Sequence, residues 1–185
     1  MSNEKVLTKE IAKQFLENVN SVELIEFTAI EDAAAESLSK HKGCLDLDGL
    51  TNLSDAAAES LSKFSKPKTL SLDGLTSLSD AAVESLSNRG GDLSLNGLTS
   101  LSDAAAESLS KHEGWPLDLN GLTSLSDAAA ESLSKYEGWL FELSGLTSLA
   151  DAAAESLSKH KNSFGIWFEK LLQHAPRVPA TNCQG

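Results

Sequence analysis

The chain has 185 residues, enough for one domain with a continuous core; 41% are hydrophobic but only 5% aromatic, so leucine and alanine must fill the interior. A formal net charge of −12, from 15 basic and 27 acidic residues, with no basic stripe, disfavours binding to nucleic acid or to anionic membranes. It also biases encounters towards basic partners.

No stretch approaches the ~20 apolar residues of a membrane span, and the first residues lack the apolar run of a secretory signal. Cys44 and Cys183 are the two cysteines. Both are expected to be free thiols in a reducing, cytoplasmic setting, because several strand spacings of ~4.8 Å would separate them in a stack.

Residues 1–21 come first. Val6, Leu7, Ile11, Phe15 and Val19 recur at helical spacing, with Thr8 as a candidate N-cap. This segment reads as a helix covering the first layer of a stack.

From Val22 to residue 163 one unit recurs six times. The clearest copy is Leu93-Ser-Leu-Asn-Gly-Leu-Thr-Ser-Leu-Ser-Asp-Ala-Ala-Ala-Glu-Ser-Leu-Ser-Lys111. Leu93 and Leu95 alternate with Ser94 and Asn96, which predicts a short strand with the leucines inward. Gly97 permits a turn, and Leu98 and Leu101 continue the layer. Ser102 supplies an N-cap and Asp103 an acid in the first helical turn. Ala105 and Leu109 form a narrow inward stripe, and the exposed Glu107–Lys111 pair adds a few tenths of a kcal/mol. The first copy is degenerate: Val22-Glu-Leu24-Ile-Glu26-Phe27 stands in the strand and turn positions, with Glu26 in place of glycine. Gly49, Gly74, Gly97, Gly121 and Gly145 then follow at intervals of 25, 23, 24 and 24, a solenoid period. Gly43, Gly90, Gly114 and Gly138 read as helix stops in the variable connections, and Pro67 lies in the longest of these.

The Leu-x-Leu strand, turn and helix at this period resemble the leucine-rich-repeat family, in a bacterial-type variant covering residues 22–163. The resemblance implies an α/β solenoid with short parallel strands on one face and helices on the other. Familiar members carry Asn or Cys three residues after the second strand leucine; here Leu50, Leu75, Leu98, Leu122 and Leu146 occupy that position. The threonines that follow, Thr51, Thr76, Thr99, Thr123 and Thr147, are the candidates for holding the turns instead.

Beyond Asn162 the pattern decays. Residues 164–175 read as a degenerate last strand and helical cap, and 176–185 as a disordered tail.

Little in the repeats suggests catalysis. The serines occupy interchangeable positions with no nucleophile elbow, and no phosphate-binding Gly-x-x-x-x-Gly-Lys loop is visible. His41, His112 and His160 share one repeat position, too far apart to converge on a metal, and read as partly exposed helix-end residues. No cofactor or metal is expected.

Two columns of strand residues point to solvent in the stacked arrangement. One is Glu23, Asp46, Ser71, Ser94, Asp118 and Glu142; the other is Ile25, Asp48, Asp73, Asn96, Asn120 and Ser144. They form a polar ribbon with acidic ends, either a docking surface for a basic protein or peptide or simply a solvated sheet face. Trp115 and Trp139 occupy matching connections and are candidate anchors beside it, or else local packing. The expectation is a monomeric, non-catalytic binding scaffold. The alternative is a structural spacer or a repeat segment of a larger multidomain protein without its own ligand, and an enzyme is a remote third reading.

Overall fold

In a computed structural model, residues 4–64, 68–114, 116–138 and 141–159 are described. Among them, seven helices alternate with short parallel strands in an α/β repeat solenoid. After β1 (Val6–Leu7) and α1 (Lys9–Glu17) come β2 (Ala29–Ile30) and α2 (Asp32–Leu38). The regular layers are β3 (Leu45–Asp46) with α3 (Asp55–Ser62), β4 (Leu70–Ser71) with α4 (Asp80–Ser87), and β5 (Leu93–Ser94) with α5 (Asp103–Ser110). Then follow β6 (Leu117–Asp118) with α6 (Asp127–Leu133), and β7 (Phe141–Glu142) with α7 (Asp151–Ser158).

Strands β3 to β7 form one parallel sheet in sequence order, each paired with the next at the repeat-equivalent residue, so that Leu70, Leu93 and Leu117 lie side by side. Strands β3 to β6 donate backbone hydrogen bonds forward, as from Leu93 N to Pro116 O at 3.1 Å and from Leu95 N to Asp118 O at 2.9 Å. The inward leucines meet an alanine face on the helices. Leu93, Leu95, Leu98, Ala105, Ala106 and Leu109 are all buried in one core that runs through every layer. Alanine lets each helix come close to the leucines of its own layer and to the next helix.

The glycine after the strand serves close approach. A Cβ on Gly97 would lie 2.0 Å from Asp73 O and 2.6 Å from Leu75 O, inside the backbone of the preceding layer. The same collision recurs at its equivalents, and among the described glycines only Gly91 has a positive φ, of 99°. The repeated glycine is therefore the point where successive backbones touch, and conformational freedom in the turn is not its reason. The glycine stops also differ from expectation. Helix α5, for instance, ends at a right-handed C-cap, Lys111, whose backbone N–H bonds within the helix, with Gly114 further on.

The N-terminal region departs from the sequence reading in two ways. Val6 and Leu7 are not helical; they form β1, which pairs in parallel with β2 as a separate two-stranded sheet. The helix starts after Thr8, whose hydroxyl does accept from Ile11 N, and it buries Ala12 and Phe15 while Val19 stays 49% exposed. The expected first strand of the repeat array is absent as well: Leu24–Glu26 is one turn of 3-10 helix. Without the glycine, Glu26 sits beside Lys5 in an exposed ion pair. The equivalence of the layer still holds, because Ile25 O and Phe27 O stand against Gly49 as Asp73 O and Leu75 O do against Gly97.

Segments 164–175 and 176–185, Cys183, Pro67, His160, Trp115 and Trp139 lie outside the described residues.

Candidate docking surface

The surface is built by the two-residue strands, which aim one residue in and the next out. In the column nearer the strand start, Asp46, Ser71, Ser94, Asp118 and Glu142 are brought into register across β3 to β7. Asp46 and Glu142 are exposed at the two ends, while Ser71 and Asp118 are half-buried. Ser94, expected at the surface, is buried, and its hydroxyl donates to Asp73 Oδ1 at 2.6 Å. Glu23 is exposed but lies outside the sheet, ahead of the 3-10 turn.

The second column does different work from that expected of it. Four of its six side chains accept a hydrogen bond from the backbone N–H of their equivalent in the next repeat. Asp48 Oδ1 accepts from Asp73 N (2.9 Å), Asp73 Oδ1 from Asn96 N (2.8 Å), Asn96 Oδ1 from Asn120 N (2.9 Å) and Asn120 Oδ1 from Ser144 N (2.7 Å). These N–H groups stand where the strand ends and the turn begins, and without the side chains they would lose their partners. A hydrogen-bonded ladder is therefore present after all, in the position before the glycine. Further bonds join it to the first column: Asn96 Nδ2 donates to Asp73 Oδ2 (3.1 Å) and to Ser94 Oγ (2.9 Å), and Asn120 Nδ2 donates to Glu142 Oε2 (2.8 Å).

The threonines form a second, longer ladder. Thr51, Thr99, Thr123 and Thr147 each donate their hydroxyl to the carbonyl of the threonine one layer back, at 3.1–3.5 Å. On the helix side a third ladder runs through the caps. Ser102 Oγ accepts from Ala105 N at 3.0 Å and donates to Asp80 Oδ1 of the preceding helix at 2.5 Å. Ser54, Ser79 and Ser126 do the same towards Asp32, Asp55 and Asp103. Ala150 replaces the serine at α7 and makes no side-chain cap.

What remains for a ligand is acidity. Asp118 is pushed up to about 6, first by burial and then by the like charges of Glu142, Asp73 and Asp92. Asp92, on the connection into β5, was missed in the sequence; it precedes the strand leucine, outside both columns. Its Oδ2 accepts from the Thr69 hydroxyl at 3.1 Å. The group is a focus of negative potential at the β5–β7 side of the sheet, suited to attracting a cationic side chain. No group of three or more His, Cys, Asp or Glu among the described residues is disposed to hold one metal ion.

The helix-end column also needs correction. Arg89, His112 and Tyr136 are buried, at 1%, 3% and 3% exposure, and so is Phe64. His41 is half-buried, its ring stacked on Phe64 at a centroid distance of 6.4 Å and tilted against Phe15 at 5.1 Å. Arg89 lies over Phe64 at 5.4 Å and donates to Lys68 O at 2.7 Å and to Asp92 O at 2.5 Å. Tyr136 donates to Gly114 O. The expectation of partly exposed rings holds for His41 and fails for His112, whose ring turns back to the carbonyls of Ser87 and Gly91 in the layer before it. The recurrence of planar or cationic residues at this one position was the available signal. Cys44 is an exposed free thiol.

No protein-family model matches this chain, and no curated protein matches it. No helix is long and apolar enough to cross a membrane among the described residues.

Proposed function

We propose that this chain is a monomeric, non-catalytic protein-binding scaffold that presents the acidic sheet face to a basic protein or peptide, in the cytoplasm. The observation that carries this reading is the clustering of carboxylates on the sheet face: Asp118 stands in register beside Glu142, and burial first, then repulsion from Glu142, Asp73 and Asp92, raises its pKa. An arriving Lys or Arg relieves that repulsion, and the gain is largest where the carboxylate is already half-buried. The resemblance to leucine-rich repeats agrees with this use, as does the exposed thiol of Cys44 with a reducing compartment.

The test separates carboxylates that are committed to the ladder from those that are not. Asp48 and Asp73 hold backbone N–H groups, so changing them confounds binding with folding. A triple variant, Asp46→Asn, Asp118→Asn and Glu142→Gln, leaves the oxygen acceptors in place and removes three charges. Capture of basic peptides by the full chain should weaken at least tenfold in this variant and fall steeply with salt. Equal capture by both proteins sinks the reading.

A second reading, a structural spacer without a ligand, is favoured by a specific observation: four ribbon side chains, Asp48, Asp73, Asn96 and Asn120, serve the ladder itself. It predicts no capture by either protein.

A further inference from the structure

His112 occupies a position that asks for hydrogen-bond donors. One layer back, the equivalent residue is Arg89, which has only donors and gives them to two backbone carbonyls. One layer on, Tyr136 donates its hydroxyl to Gly114 O. His112 continues the pattern. Its Nδ1 lies 3.0 Å from Ser87 O, at the end of α4, and its Nε2 lies 3.2 Å from Gly91 O, in the connection to β5. The positive φ of Gly91 belongs to the turn that presents this second carbonyl. These two carbonyl oxygens are acceptors only. A neutral imidazole has one N–H and one lone pair, so it can satisfy one of them and must set its lone pair against the other.

We infer that His112 is held as the doubly protonated imidazolium, forming a proton-dependent clamp between the third and fourth repeats. The charges around the ring do not decide the matter by themselves. Arg89 and Asp92 come from the layer before it, Lys111 and Glu113 flank it in the chain, and Lys135, Tyr136 and Glu137 belong to the layer after it. The three cations and three carboxylates balance in formal charge. Lys111, Glu113, Lys135 and Glu137 line an open cleft that reaches His112, which gives protons a route to a ring that is otherwise buried. Burial opposes the charge, whereas two carbonyl acceptors along the two N–H directions favour it. Loss of the proton turns one attractive contact into a repulsive one and loosens one joint of the stack.

His41 provides the internal reference. It occupies the same repeat position but packs against two aromatic rings, and burial holds its pKa below the ordinary imidazole value. The experiment is a nitrogen–proton correlation titration of the full chain, labelled with nitrogen-15, between pH 5 and 9. The two ring nitrogens of an imidazolium resonate together, and those of the neutral form separate. His112 should remain an imidazolium to at least about pH 7.5, a tenfold tighter hold on its proton than the ordinary ~6.5 provides. His41 should titrate first as pH rises.

Because the folded-state value lies above the unfolded one, the clamp's contribution is complete below about pH 6.5 and is lost as pH rises through the folded value. The folding equilibrium constant of the wild type should therefore fall by about tenfold or more across that window. His112→Gln, which donates without titrating, should lack this component. Split nitrogens at pH 7, or titration of His112 together with or below His41, overturns the inference. The titration needs no variant, so the outcome stands even if His112→Gln does not fold.

Discussion

Gly97 shows how little room a single position has in this stack. Its Cα faces two carbonyl oxygens of the preceding layer, and a methyl group placed there meets backbone, which cannot rotate aside as a side chain does. Gly97→Ala should destabilise the fold at the upper end of the ~1–3 kcal/mol typical of overpacking, read as a lower denaturant midpoint in urea. The neighbouring Ser100, exposed in the following turn, should tolerate alanine within about 0.5 kcal/mol in the same measurement. His112 and Arg89 are the other residues whose role lies in another layer. A single repeat read alone shows a helix-end side chain with nothing to hold. Two stacked repeats supply the carbonyls it reaches.

The helices differ mainly at their first residues. Helices α3 to α6 are capped by a serine that also bonds the preceding aspartate, and α7 begins at Ala150 with neither bond. Ala150→Ser should restore both and raise stability by about 1 kcal/mol, visible as a later urea midpoint; an unchanged midpoint would mean that the last helix frays before the rest unfolds. Most of this element pattern was legible in the sequence. Leucines at period two, the Ser-Asp start, the three alanines and the Glu–Lys spacing each have a local cause, and ion pairs such as Glu107–Lys111 form where expected. The failures were non-local. Val6 and Leu7 have helical spacing from Ile11, yet the edge offered by Ala29 and Ile30 draws them into a strand. Asp48, Asp73, Asn96 and Asn120 looked solvent-facing because their partners are backbone N–H groups about 24 residues away. Period alone does not reveal which polar residue of a repeat is spent on its neighbour.

For the whole molecule the main variable is pH, through its carboxylates. Asp118 has a folded pKa of about 6, above the ordinary carboxylate value of ~3.9. Its protonated form is therefore favoured by folding. The stability associated with it is present below about pH 4 and is lost as pH rises through about 6. Asp118→Asn should make the protein more resistant to urea at pH 7 and flatten its stability profile between pH 4 and 6, with little change at pH 4. A profile that keeps its full slope in the variant would assign the effect to other acids. This window lies below the one set by His112, so the two titrations can be separated in one series of unfolding curves.

The three ladders share a direction that bears on how such a chain can change length. Each junction is written half in one repeat and half in the next: an aspartate waits for a serine, a side-chain oxygen for an N–H, a carbonyl for a threonine. A block cut at any fixed point of the period carries one half of each pair at its front and the other at its back. Removing Gly97 to Asn120, one full period, would set Asn96 before Gly121, offer Asp80 to Ser126 and Thr76 to Thr123, and leave Tyr136 above the loop of Gly91. Every half would meet a counterpart of the right kind. The joint is thus a standard fitting, and repeat number is free to vary by whole units while the chemistry of each seam stays the same.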